Sequence, residues 1–499
     1  MILLIGWRNI HMLQQPRVRE KWLPLLAGIV GSALLVFMSW RQNMPFVVWL
    51  IPFLLLYSFR NLKGWVFTVP VAVLSVLAKV AAMHGGWDID LGMETAFGLL
   101  VSIPLLVALY LDRLLWSRMK PLAATLVFPA VYTALDFLLS FSPVGMTFSV
   151  AYTQSRQLLL AQSSALAGSW LAGFVVAWSA SLVNMVLREA SQGKKVHVLL
   201  AVYSLVMIGL LGFGSVKQTY LRPDGETVRI GSITVAMPTD AWAITDAGTP
   251  REGAEENKAV LAGMNEELFS LSKKAADAGA KIIFWSEGNY VVYEDQYDDF
   301  VQSAKSFAQT NGVYLMASPL VLRYDTNKND NLAVLFDPNG NQLFRYEKTN
   351  SWYPTDSDGV IPKVDTPYGK IGAVICFDMD FPAFIRQASD VDILLVPAYD
   401  TKKISPFHTE GALLRGMEYG FSVVRQCAAG ESTAADFNGN ILATQSFFAT
   451  EERLMISDVP IKGILTLYEN TGDLFACLTI LLTLFFIAYA VLLKRMHMV

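Results

Sequence analysis

Hydrophobicity in this chain comes in blocks, and that arrangement restricts the fold more than any motif does. From Lys21 to about Val216, apolar runs of bilayer-spanning length alternate with short polar breaks. Roughly 20 apolar residues cross a hydrocarbon core about 30 Å thick. Seven spans are expected on that measure, at about 22–40, 44–59, 64–83, 92–111, 121–140, 165–187 and 196–215. A polar block follows from about 217 to 470, and a last run, "LFACLTILLTLFFIAYAVLL", occupies Leu474–Leu493. Of the 499 residues, 53% are apolar and 16% charged, which is greasier than an ordinary soluble chain. The expected division is a transmembrane bundle over 1–216, a globular domain over 217–472, and a final span with a short tail over 473–499.

Loop charges orient such a bundle. Arg8, Arg17, Arg19 and Lys21 precede the first run, and Arg60 and Lys63 follow the second. Arg113, Arg118 and Lys120 follow the fourth, Arg188, Lys194 and Lys195 the sixth, and Lys494 and Arg495 the last. The opposite loops carry only Arg41 and Arg156. Basic loops stay in the cytoplasm, so both termini are expected there and the 217–470 block outside. No cleavable signal peptide is expected, because the basic N-terminal stretch leads into several successive spans. Asp136, inside the fifth run, is expected to touch wet headgroups at that span's outer end.

A net charge of -4 gives no reason to expect a nucleic-acid partner, and three cysteines exclude a disulfide scaffold. No metal-ligand cluster, phosphate-cradling glycine loop or dinucleotide fingerprint stands out, so neither a metal nor another cofactor is expected.

The polar block reads as alternating strands and helices. "VRIGSITVAM" (Val228–Met237), "KIIFWSE" (Lys281–Glu287), "VYLMASPLVL", "GKIGAVICF", "DILLVPA" and "FSVVRQCAA" are strand-like. Helices are expected over Arg251–Ala280, Asp295–Thr310, Phe384–Ser389 and His408–Gly420. Pro338-Asn339-Gly340 turns one hairpin, and the Asn-Gly of "DFNGNILATQ" a second. Such alternation predicts layers of sheet covered by helix.

Glu287, Lys348 and Cys376 each stand at or just after the end of an apolar strand, where α/β sheets line their ligand crevices. A carboxylate, an ammonium and a thiol gathered there suit acyl transfer. Thiolate is the attacking species, and a nearby cation lowers a thiol's pKa from about 8.5. Glu287 would take the thiol proton. Lys348 and the backbone N–H of Phe377 would hold the oxyanion. Singly, none of these residues is specific. Cys376 also reads as a small buried hydrophobe, Glu287 and Lys348 as a solvated ion pair, and Cys376 with Cys427 as a disulfide.

The order "WSEGN", "YEKTNSWYPTD", "VICFDMDFP" resembles the Glu-Lys-Cys arrangement of the nitrilase (carbon-nitrogen hydrolase) superfamily, and "LLRGMEYGFSVVRQCAAG" is similar to its following helix and strand. Seven spans before such a domain and one after resemble its membrane branch, the apolipoprotein N-acyltransferases of bacterial inner membranes. "FSVAYTQSRQLLLAQSSALAGSWLAGFVVAW" and "GILTLYENTGDLFA" are similar to that branch's segments leading into its sixth and last spans.

The resemblance implies about eight transmembrane helices and an exported α-β-β-α sandwich with Glu287, Lys348 and Cys376 as its catalytic residues. It further implies a supporting acid at Asp356, another at Asp378 with Phe377 beside it, and a tryptophan, Trp242, near an acyl-chain entrance. Its reaction moves an acyl chain from a phospholipid, through a thioester, to the amine of a diacylglyceryl-modified lipoprotein, by a monomer in the bilayer.

Asp356 and Asp378 are one methylene shorter than the glutamates usual in that branch. "VAMPTD" lacks its usual Gln-Gly-Asn, Trp285-Ser286 stands where a proline is more usual, and Gln426-Cys427 replaces an Arg-x-Asn-like run. These departures leave open a paralogue acylating another amine, a membrane-tethered amidase, and a scaffold without activity. Trp285, Tyr290, Trp352 and Tyr353 fit either an interfacial zone, with Trp352 and Tyr353 as substrate contacts, or the domain core. The stretch Tyr290–Asp299 is a candidate lid. His408 is expected to cap or pack its helix, away from the three motifs.

Overall fold

The computed structural model describes residues 16–87, 89–223, 225–237, 254–324, 326 and 328–496. It divides into two compact units, Met1–Gly214 with Thr471–Val499, and Ser215–Asn470.

The first unit is helical: α1 (Pro16–Leu34), α2 (Pro45–Asn61), α3 (Trp65–Met83), α4 (Leu91–Leu115), α5 (Pro121–Leu139, interrupted at Leu126), α6 (Ser169–Ser191) and α7 (His197–Tyr220), within which the division falls. The last helix, Leu474–Met496, belongs to it too. Among the described residues six helices are long and apolar enough to cross a membrane, namely α3 to α7 and the last one. This is fewer than the eight full spans expected. The first apolar run does not stay α-helical to residue 40: α1 ends at Leu34 and two 3-10 turns carry the chain to Gln42. Trp40, which opens the second turn, has φ +52° and packs edge-on against Trp87 and Phe148. The second run forms the shorter α2.

Several buried polar groups inside this unit are paired. Arg60 forks onto Asp112, Nε to Oδ2 at 2.7 Å and Nη2 to Oδ1 at 2.8 Å, and Nη2 also reaches Ser181 Oγ at 2.7 Å. Arg60→Met should lower stability by about 3–5 kcal/mol, because it strands a buried carboxylate; an unchanged melting temperature in detergent would contradict this. Asp136 is not a wet headgroup contact. It is buried and accepts a 2.6 Å hydrogen bond from Ser149 Oγ, because the segment after α5 folds back over that end of the helix.

The second unit holds two sheets. Its strands are β1 (Thr227–Ile233), β2 (Ile282–Trp285), β3 (Tyr290–Tyr293), β4 (Tyr314–Ala317), β5 (Pro319–Leu322), β6 (Asn329–Phe336), β7 (Gln342–Glu347), β8 (Lys363–Thr366), β9 (Gly369–Ala373), β10 (Ile393–Tyr399), β11 (Ser422–Ala428), β12 (Glu431–Ala435), β13 (Ile441–Ser446) and β14 (Leu454–Pro460). One sheet runs β14-β1-β2-β4-β6-β5-β3 with β7 paired to β6, the other β13-β12-β11-β10-β9-β8.

The period of two along each strand separates the layers. On β2, Ile282 and Phe284 join the cluster shared by both sheets, with Ile371, Ile393, Leu395 and Val424. Ile283 and Trp285 face the other way, onto α8 (Ala254–Asp277) and α9 (Tyr297–Asn311) through Leu261, Leu268 and Phe300. Beyond the second sheet, Leu394, Val396 and Val423 meet Ala412 and Leu413 of α10 (Phe407–Tyr419). The order is helix, sheet, sheet, helix.

Both hairpin turns form where expected, with Gly340 at φ +77° and Gly439 at φ +76°. Strands β3, β8 and β14 were not among the expected elements. The candidate lid is therefore corrected. Tyr290–Tyr293 is a buried strand paired in parallel with β5, and Tyr290 stacks on Trp285 at 5.5 Å. Aromatic and β-branched side chains, here Tyr-Val-Val-Tyr, favour a sheet interior over a mobile flap. Trp285, donating from Nε1 to Ser272 Oγ at 2.9 Å, is a core residue too.

Candidate active site

Three strand ends bring the expected groups together. Just past β2, Glu287 is followed by Gly288 at φ +58°, a conformation glycine adopts without steric cost. Its Oε1 accepts from Lys348 Nζ at 2.6 Å and from Asn331 Nδ2 at 2.8 Å. Its Oε2 is buried and has no hydrogen-bond partner among the described residues. Lys348 follows β7, and its backbone N–H donates to Asn331 O at 2.9 Å. Asn331 on β6 thus fixes both the acid and the lysine segment. The sequence reading missed it, since an Asn opening a strand carries no distinctive signal.

Cys376 comes three residues after β9 and opens a 3-10 turn with φ +49°. A non-glycine residue in that region is strained, and such strain concentrates at functional sites. Sγ lies 3.4 Å from Tyr399 O and 3.9 Å from Arg425 Nη2. Both Cys376 and Cys427 are free thiols, so the alternative of a disulfide between them does not hold.

Burial pushes the Cys376 thiol well above its usual range, and Glu287 adds to the effect; Lys348 and Arg425 oppose it. Burial works against the Lys348 charge, but Glu287 and Cys376 outweigh it and hold the ammonium above its ordinary value. The resting trio is therefore a neutral thiol beside a closed carboxylate–ammonium pair. Attack requires the thiol proton to leave, and Glu287 Oε2 is an acceptor without a hydrogen-bond partner among the described residues.

Asp378 ties the cysteine turn to the lysine segment. It accepts from Ile375 N at 3.0 Å, Tyr346 Oη at 2.6 Å and Asn350 N at 2.7 Å. Burial pushes its carboxyl up, and the Tyr346 hydrogen bond is the largest opposing effect. Asp378→Ala would take this acceptor from two buried donors, Ile375 N and Tyr346 Oη, and from the half-buried Asn350, at about 1–3 kcal/mol for each buried group left unsatisfied. A clear fall in the unfolding temperature of the solubilised protein is expected, and no fall would show that Asp378 does not organise the turn.

The other expected positions divide. Phe377 stacks on Trp352 at 5.3 Å, with Trp352 partly exposed and Tyr353 exposed. Asp356 is not brought to the trio: its side chain is 76% exposed and paired with Lys328. The buried carboxylate of that loop is Glu347, which accepts from Asp356 N at 2.9 Å. An aspartate on an exposed loop gains more from water and a lysine than from burial. Trp242 lies outside the described residues.

His408 is not away from the motifs. One of its nitrogens, an Asp400 oxygen and Cys376 Sγ lie within 4.8 Å of one another. Their ligand types suit a metal, but the Arg425 guanidinium already forks onto Asp400, both bonds at 2.9 Å. Parallel pairing of β9, β10 and β11 brings Cys376, Asp400 and Arg425 to one end of the sheet, a register that no local pattern announces.

A profile of the family "Carbon-nitrogen hydrolase" matches residues 254–466. A deaminated glutathione amidase of Yersinia enterocolitica is 24% identical over 179 residues, 32% of this chain and 63% of the amidase. An apolipoprotein N-acyltransferase of Geobacter metallireducens is 23% identical over 437 residues, 78% of each chain. The crystal structure of an amidase from Nesterenkonia sp. superposes with a TM-score of 0.36 and 17% identity, covering 48% of this chain and 92% of the amidase. The chain thus spans a little under two thirds of the Yersinia relative and more of the Geobacter one. Residues 254–466 thus match the carbon-nitrogen hydrolase family, and the chain joins this nitrilase-like α/β sandwich to an N-terminal region with membrane-length helices.

Proposed function

We propose that this protein is a membrane N-acyltransferase, with Cys376 as nucleophile, Glu287 as general base and Lys348 as oxyanion stabiliser. The observation that carries the reading is the extent of the match. The amidase relative aligns with 32% of the chain, whereas the Geobacter acyltransferase aligns with 78%. That length exceeds the catalytic unit and takes in apolar helices, and an enzyme embedded in a bilayer suits substrates that never leave it.

In the first step Glu287 Oε2 takes the thiol proton and Sγ attacks an ester carbonyl of a phospholipid. Lys348 and the Phe377 N–H hold the oxyanion; the C–O bond then breaks, and the lysophospholipid leaves with the proton from Glu287. In the second step the amine of a diacylglyceryl-modified lipoprotein attacks the thioester and gives a proton to Glu287; the C–S bond breaks and Glu287 returns that proton to the departing sulfur. The covalent intermediate lets two bulky lipids use the site in turn. The unit carrying the trio lies on the periplasmic side of the inner membrane in this reading, as the loop charges favour.

A membrane-tethered amidase, with water as acceptor, is the second reading, favoured by the amidase relative. Incubating the detergent-solubilised protein with a labelled phospholipid and a diacylglyceryl-cysteine peptide distinguishes them. The proposal expects label on Cys376 and then on the peptide amine; release of free fatty acid alone would favour the hydrolase.

A further inference from the structure

Four charged side chains, buried and contributed by separate stretches of the second unit, form a line that ends at the cysteine sulfur. Asp380 Oδ2 lies 2.5 Å from His408 Nε2, and His408 Nδ1 lies 2.9 Å from Asp400 Oδ1. Arg425 donates from Nη1 to Asp400 Oδ2 and from Nη2 to Asp400 Oδ1, both at 2.9 Å, and Nη1 also reaches Thr409 Oγ1 at 2.6 Å. Its Nη2 is 3.9 Å from Cys376 Sγ. Asp380 and Arg425 are fully buried, and Asp400 and His408 are 3% and 4% exposed.

Buried charges persist only when compensated. Burial disfavours the imidazolium of His408, but Asp380 and Asp400 outweigh it and push the pKa up to about 9. The line then sets two carboxylates against an imidazolium and a guanidinium. Once neutralised in this way, Asp400 can orient the guanidinium without adding a net negative charge beside the sulfur. The other cation of the site, Lys348, is engaged by Glu287 at 2.6 Å. A sulfur that becomes anionic when its proton leaves, and again when a thioester breaks, has its own donor in Arg425 Nη2.

We propose that Arg425 is a catalytic residue that stabilises the Cys376 sulfur as it takes up negative charge, with Asp400, His408 and Asp380 as the positioning residues that aim its guanidinium. The inference rests on Cys376 being the attacking group, but not on the identity of donor or acceptor. The groups facing the sulfur are Glu287, Lys348, Asp400, Arg425, Cys427 and, through Asp400, His408.

The test is the rate of Cys376 alkylation by iodoacetamide from about pH 6 to 10 in the full-length solubilised protein, read by mass spectrometry of the Cys376 peptide. It uses no acyl substrate, so it stands or falls apart from the acyltransferase reading. Arg425→Gln should move the profile to higher pH and slow alkylation at about pH 8 by about tenfold or more. Arg425→Lys, whose single ammonium stays with Asp400 and Thr409, should fold more readily and show a smaller displacement in the same direction. A folded Gln or Lys variant with the parent's profile would overturn the proposal. Failure of both to fold would assign the guanidinium to the fold rather than the thiol, and would overturn it equally.

Discussion

Cys376→Ala is expected to reduce the proposed acyl transfer by a factor on the order of 10⁶, the size of loss seen when a covalent nucleophile is removed. The labelled thioester should vanish with it. The side chain is small and buried, and alanine at this position relieves no other contact than those of the sulfur, so the variant should stay folded. Intact-protein mass spectrometry after incubation with a phospholipid donor checks both points. If the alanine variant still carried an acyl adduct, the attacking group would lie elsewhere.

Glu287→Gln should move two readouts in opposite directions. The amide keeps the shape and can still accept from Lys348, but it cannot take a proton, so acyl transfer should fall by about 10²- to 10⁴-fold. The carboxylate is also, after burial itself, the largest influence holding the Cys376 thiol up. Removing that negative charge lowers the thiol's pKa, so a larger fraction is thiolate at neutral pH and alkylation by iodoacetamide should become faster. A merely structural glutamate would slow both or change neither. Parallel changes in the two rates would sink the assignment of Glu287 as the base.

Much of this architecture was legible beforehand because its signals are local. The Ile282–Trp285 strand, both Asn-Gly hairpins and the α10 helix follow from periodicity and turn chemistry within a few residues. Glu287, Lys348 and Cys376 were legible as strand-end residues. What escaped was non-local. Strands β3, β8 and β14 are short or mixed in pattern and become strands only when a neighbour supplies hydrogen bonds. Asn331, Glu347 and Asp400 have unremarkable neighbours in sequence. His408 looked like a helix-end residue, because its two carboxylate partners come from other elements, 28 and 8 residues away.

By itself the sequence determined the alternation of apolar and polar blocks, the period-two faces of the strands and the chemical identity of three reactive groups, each legible from its own neighbours along the chain. Tertiary structure alone decided which charges surround the sulfur. The parallel register of β9, β10 and β11 places Arg425 and Asp400 beside Cys376, and burial there strengthens every charge interaction by excluding water. An exposed loop left Asp356 with solvent and Lys328 instead. Proximity and desolvation are properties of the folded chain, and they separate a reactive cysteine from a buried one.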